Sequence, residues 1–214
     1  MATAIVWKNV AVAMQSAIAA AKDITAITKA SPGVASSTAH GYSDGDYLLL
    51  EVQGMYQVNQ RVVRVAGKTI DTFQLEGINT TDFETFTSGT AKKLTFGTSI
   101  SSATTISASG GNFDMIDTTT IHQNFRSEMP GLPQPISYSM DHIWDSADAG
   151  QVAMKAASDI QALRAFKFTF GSGGKILVFV GYVGFAGLPG GSAQNLITTQ
   201  AVFTMNGLPT FYSS

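Results

Sequence analysis

An all-β sandwich carrying one helix is the fold class this sequence predicts, and three observations predict it. Short alternating or apolar runs recur along the chain, separated by clusters of Gly, Ser and Asp, the pattern of a sandwich or barrel. Only one segment repeats its apolar residues at the helical period. Charged residues form 13% of the 214, with 44% hydrophobic, against a usual charged share of about 25%. Ser, Thr, Gly and Asn must therefore supply much of the polar surface, a composition suited to sheets and to surfaces that touch other surfaces. Self-association is the expectation.

The elements follow in order. In Ile5 to Met14 the residues Val6, Val10, Val12 and Met14 share one face of a strand, and the following "QSAIAAAKD" offers a helical turn as an alternative, with strand the preferred reading. Residues 1–23 form the N-terminal strand or arm of the main domain. Residues 24–90 read as a small β module, integrated or inserted, with strands at Tyr47 to Val52, Arg61 to Val65 and Thr72 to Glu76. Gly41 to Asp46 supplies turn chemistry before the first of these, because Gly and Asp tolerate positive φ. The remaining main domain, 91–214, opens with a short strand at Lys92 to Phe96. "GTSISSATTISASGGNFD" is a Ser/Thr/Gly-rich bridge and a candidate joint.

From Ala147 to Phe166, Val152, Ala156, Ile160 and Leu163 recur near the helical period, placing a helix near 148–164. Asp148 can cap its start. Lys175 to Ala186, "KILVFVGYVGFA", is apolar on both alternating faces, as in a strand covered on both sides. "GLPGG" turns the chain into Leu196 to Met205, where Ile197, Ala201, Phe203 and Met205 share one face and Thr198, Gln200 and Thr204 the other. Together they predict a hairpin over 175–205 with one wetter side.

Composition excludes several functions. A net charge of −2, from 13 basic and 15 acidic residues, leaves no basic excess to condense on phosphates. No apolar run reaches the roughly 18 residues of a membrane helix, and Met1 to Val12 lacks the apolar core of an export leader. Without cysteine there are no disulfides, thiolate nucleophiles or cysteine zinc sites.

The segment from Asp117 to Gly150 gathers His122, His142, Asp117, Asp141, Asp145 and Asp148. These residue types ligate metals, yet the spacing matches neither a helical histidine pair nor a calcium loop. Turn and contact residues are the reading, with no metal and no cofactor. GxSxG is absent, and "GSGG" and "GLPGG" lack the Lys and Ser/Thr of a phosphate loop. Carboxylate pairs such as Asp44 and Asp46, or Asp82 and Glu84, lie among turn residues and read as solvated. Trp7 and Trp144 read as core or interface anchors. Pro130 and Pro133 exclude "MPGLP" from a central strand. Its tip fits either a packed corner of the domain or a wedge offered to a neighbouring copy.

Taken in sequence, "FDMIDTTTIHQNFRSEMPGLPQP", "DHIWDSADAGQVAM" and "GYVGFAGLPGGSAQNLITTQAVFTMNGLPTF" resemble the major tail tube proteins of long, non-contractile-tailed bacteriophages. The 24–88 region resembles a small β module of phage structural proteins that is named after a half-domain of ubiquitin-activating enzymes. The resemblance implies a sandwich subunit that lends its long hairpin to the inner β-barrel of a ring, usually of six copies. It implies rings stacked into a hollow tube, and no enzyme. Implied partners are the chain itself, a tape measure protein in the lumen during assembly, terminator and distal tail proteins at the ends, and DNA in transit without specific binding. The implied location is the virion, after assembly in the bacterial cytoplasm. Candidate self-assembly residues are Asp117, Thr118, Thr119, Arg126, Met129, Pro130, Gly131, Leu132, Trp144 and Asp148. Many such proteins end in an immunoglobulin-like domain, which is not expected of a sequence stopping at Ser214. Other tail structural roles (terminator, completion or adhesin component), the inner tube of a contractile system, and a virion hydrolase using the Asp117 to Asp148 cluster are the alternatives.

Overall fold

A computed structural model describes residues 8–171 and 174–213. Trp7 and the start of the predicted first strand, Ile5 and Val6, lie outside them. The strands, in chain order, are Val10–Ile18 (β1), Lys22–Ile24 (β2), Ala26–Ile27 (β3), Val34–Ser36 (β4), Tyr47–Gln53 (β5), Arg61–Ala66 (β6) and Thr72–Leu75 (β7). Ser88–Ile100 (β8), Ala103–Ser109 (β9), Phe113–Asp117 (β10), Glu128–Pro133 (β11) and Ser137–Ile143 (β12) precede the helix Ala149–Asp159 (α1). Leu163–Phe170 (β13), Ile176–Phe185 (β14), Thr198–Met205 (β15) and Thr210–Tyr212 (β16) complete the chain.

Hydrogen bonding joins the strands in the order β3-β4-β7-β6-β5-β8-β1-β13-β14-β15-β12-β9, with β2 on β8 and β16 on β14, while β10 and β11, among the described residues, pair with each other alone. Alternation of side chains folds this ribbon of strands over separate cores. Met14, Met140, Phe166, Phe168, Phe179 and Phe203 fill one, together with Met154 from α1. Their rings stack and cross, Phe166 meeting Phe203 edge-on at 4.7 Å between centroids. Burying each such ring contributes roughly 1.5–3 kcal/mol. A second core, around Leu48, Leu50, Val63, Phe73 and Leu75, lies under β3 to β7. Between the two, Leu49, Val62, Val178, Val180 and Tyr212 form a third. Tyr47 to Gln53 pairs with Leu94 to Ser88 throughout, so the strands of the predicted module continue the main sheet.

A handover on β14 organises the C-terminal part. One edge pairs with β13 from Ile176 to Tyr182. The other takes β16 at Ile176 to Val178 and β15 only at Gly181 to Phe185. The predicted hairpin is therefore shared between two partners. Gly181 stands at the handover because a Cβ there would lie 2.5 Å from the Thr204 carbonyl oxygen.

The helix begins as predicted but ends earlier. Asp148 accepts a hydrogen bond from the Gln151 N–H at 2.9 Å, a cap worth about 1 kcal/mol. Gln161, with φ +49, sends the chain out of the helix. The Ala162 N–H reaches the Ala157 carbonyl at 2.9 Å and the Gln161 N–H reaches Ser158 at 3.1 Å, the paired bonds of a Schellman stop. Leu163 to Phe166, expected in the helix, belong to β13, and Ile160 is exposed. The apolar spacing ran on from helix to strand without a break in pattern. The strand reading of "QSAIAAAKD" holds as far as Ile18, while the Ser/Thr/Gly bridge, expected as a joint, is mostly strand, because β9 lies at a sheet edge and needs few apolar residues to cover. Ile197, placed on the inward face, is exposed ahead of β15.

Candidate assembly surfaces

The strands β14, β15, β12 and β9 present one outward face. Register places Tyr182, Thr204, Ser137 and Ser109 in a row, then Gly184, Val202, Ser139 and Ser107, then Gln200, Asp141 and Thr105. None of the four strands contains a lysine or arginine. Asp141 is the charged residue in these rows, and its Oδ1 accepts from Gln200 Nε2 at 3.0 Å. Cations lie elsewhere: Arg64 pairs with Glu76, Lys92 with Glu51 and Lys93 with Asp46. Beyond β9 no strand follows among the described residues. A groove of about 380 Å³ separates it from the start of β1, lined by Val10, Val12, Ile100 and Thr104 to Ile106.

At the Ser109 and Ser137 ends of β9 and β12 the chain leaves the sheet as the β10–β11 ribbon. Gly110 forms its root, with φ +88 and a position where a Cβ would lie 2.1 Å from the Pro135 carbonyl oxygen. Pro130 and Pro133 are admissible here because each ribbon strand has a single partner. The tip is hydrogen-bonded within itself. Asp117 Oδ1 accepts from the Thr119 N–H at 2.8 Å, Thr119 Oγ1 accepts from the Ser127 N–H at 3.0 Å, and Thr118 Oγ1 donates to the Ser127 carbonyl at 3.0 Å. Arg126 reaches Asp117 Oδ2 at 3.2 Å. Hydrogen bonds from Thr119, then the Arg126 guanidinium, hold the Asp117 carboxyl below its ordinary value. Despite this order the ribbon leaves apolar side chains in water: Ile121 is 95% exposed, Phe125 86% and Leu132 84%.

Trp144 lies at the opposite end of β12. Its Nε1–H donates to the Gly187 carbonyl at 3.0 Å and its N–H to Ile197 at 2.9 Å. Gln151, 3% exposed, donates through Nε2 to Ile143 O at 2.6 Å and Ser102 Oγ at 3.1 Å. Ser102 Oγ is within hydrogen-bond reach of His142 Nδ1 at 3.3 Å, and the other ring nitrogen is Nε2. That atom is buried with no hydrogen-bond partner among the described residues. Burial lowers the His142 pKa, against opposing pulls from Asp148 and Asp141.

The residues from Asp117 to Gly150 thus disperse. Asp117 and His122 are on the ribbon, Asp141 is on the outward face, His142 is in the core, and Asp145 and Asp148 shape the helix start. No three metal-ligating side chains converge among the described residues. Asp117, Thr118, Thr119, Arg126, Met129, Pro130, Gly131 and Leu132 come together on the ribbon, whereas Trp144 and Asp148 stand at the other end of the sheet.

A family model described as "Phage tail tube protein, TTP" matches residues 53–214. The chain belongs to the phage tail tube protein family. Its role is therefore structural, as a component of the phage tail. Among solved structures, the tail of an empty gene transfer agent particle with C6 symmetry is similar at 15% identity, covering 56% of this chain and 87% of that one, with a TM-score of 0.43. The virion of a native gene transfer agent particle is similar at 15% identity, with 56% and 88% covered and a TM-score of 0.41. No curated protein matches.

For a tail tube subunit, the residues that sequence reasoning missed are instructive. Ile121 and Phe125, apolar side chains inside a polar loop, carried a readable signal as exposed hydrophobes. Gln151 and Phe185 carried none, since only the folded helix and β14 bring them beside Trp144.

Proposed function

We propose that copies of this tail tube subunit close side by side into rings, six per ring as the family resemblance implies, and that the rings stack into a tube whose lumen is walled by the outward face of β14, β15, β12 and β9. The observation that carries this reading is that face's chemistry: rows of Ser, Thr, Gln and Gly, with Tyr182 and Val202 among them, one carboxylate and no cation. A wall that lets DNA slide must not hold phosphates, and each lysine on it would add a salt-dependent contact. The edge of β9, unpaired among the described residues, supports side-by-side closure, because an exposed strand edge is a template for pairing. Asp117, Thr118, Thr119, Arg126, Met129, Pro130, Gly131 and Leu132 serve contacts between copies, as do Trp144 and Asp148 through the shape they give the opposite end. The tape measure protein occupies the lumen during assembly in the bacterial cytoplasm, and terminator and distal tail proteins cap the ends. The structural role assigns no catalysis to Asp141 or His142.

Electron microscopy of the purified protein tests this reading. Hollow filaments of constant width, with sixfold averages in end view, are the expected result. Monodisperse single rings at high concentration point to a terminator, and monomers alone sink the proposal.

A further inference from the structure

Resting on the tube reading, we propose that the β10–β11 ribbon of one copy docks into a cavity on the next copy along the tube, Phe125 entering the space between Trp144, Val152 and Phe185. The cavity measures about 220 Å³ and is lined by Trp144, Val152, Phe185, Ala186, Gly187 and Lys155, with Asp145, Ser146 and Gln151 at its polar margin. An apolar cavity of about 150 Å³ already accommodates a benzene ring, so a phenylalanine side chain fits. The surrounding surface is apolar too, since Leu188, Leu196 and Ile197 are exposed around the Gly187 and Trp144 backbone.

Position decides the occupant. The ribbon leaves β12 at Ser137 and the cavity follows β12 at Ile143, so the root of the ribbon and the socket sit at opposite ends of one strand, roughly 20 Å apart at ~3.3 Å per residue. A knob and a socket on opposite ends of one subunit make a head-to-tail contact, which repeats without closing and generates a filament. The ribbon is also prepared to act as a knob. Its tip is braced by the Asp117, Thr119 and Ser127 hydrogen bonds, so little ordering is lost on docking. An isolated two-stranded ribbon is marginal in water, and packing Phe125 and Ile121 against a second copy stabilises it.

The experiment uses the absence of cysteine from the chain, which makes any engineered thiol unique. Phe125→Cys and Val152→Cys chains are mixed with an excess of wild-type chain, whose intact contacts carry the filament, then assembled and oxidised. Both positions are exposed, so neither change disturbs the core. A Phe125–Val152 position cross-link between the two chains, formed in filaments and absent from each chain alone, is expected. In parallel, Val152→Asp places a carboxylate in the first turns of α1, where the helix N-terminus tolerates it, and is expected to shorten filaments roughly tenfold at fixed concentration. Filaments that form with no such cross-link, or with tip-to-tip Phe125 cross-links, overturn the docking while leaving the tube reading intact. Wild-type protein that forms no filaments overturns both.

Discussion

At the scale of single residues, His142 is the most consequential side chain that does not face another copy. It is fully buried, bonded at Nδ1 to Ser102 and edge-on to Phe185 at 6.2 Å. Its lowered pKa fixes a sign. Below the ordinary imidazole value of about 6.5, the unfolded chain takes up a proton that the folded chain refuses, so unfolding gains as pH falls toward the depressed folded value. The contribution is complete above that window and lost within it. Thermal midpoints measured from about pH 7.5 down to about pH 5 are expected to fall more steeply in the wild type than in a His142→Leu chain. Equal slopes would remove His142 from the account. Little of this was legible beforehand: His142 was readable as a titratable residue, but its parity with Met140 on an inward face needed β12 to exist as a strand.

At the scale of elements, the strand handover on β14 depends on a missing side chain. With a Cβ at Gly181 only 2.5 Å from Thr204 O, Gly181→Ala forces β15 off β14 or strains the backbone. Overpacking of this kind costs roughly 1–3 kcal/mol, and a lower denaturant midpoint with an unchanged slope is the expected measurement. β14 itself was readable, since apolar residues on both faces indicate a strand covered twice. Its division between β16 and β15 was not, because the pairing partner of an edge is set by where distant chain segments arrive. The end of α1 was misread for a related reason: Ile160 and Leu163 keep the helical spacing, while the stop lies in Gln161 adopting a left-handed conformation that a glutamine does not advertise.

At the scale of the whole molecule, the distribution of charge separates two surfaces. The strands β6, β8 and β13 each carry two lysines or arginines, of which Arg64, Lys92 and Lys93 pair with carboxylates, while β9, β12, β14 and β15 carry none. If the latter strands wall the lumen, Val202→Lys, in the middle row, leaves tubes intact but makes them retain duplex DNA. Retention is expected to fade as salt rises, since displaced counterions drive such contacts. Tubes that bind DNA no better than the wild type would falsify the placement of that face.

By itself the sequence determined the class of the fold, the helix start at Asp148, the exclusion of "MPGLP" from any central strand, and the likeness to tail tube proteins. These follow from local chemistry: alternation, capping and the missing N–H of proline act over a few residues. Only the tertiary structure decided that the ribbon bearing Asp117 leaves β12 at the end opposite Trp144, that His142 is buried, and that the cation-free strands share one face. Those are outcomes of register between strands far apart in the chain, which no local pattern encodes.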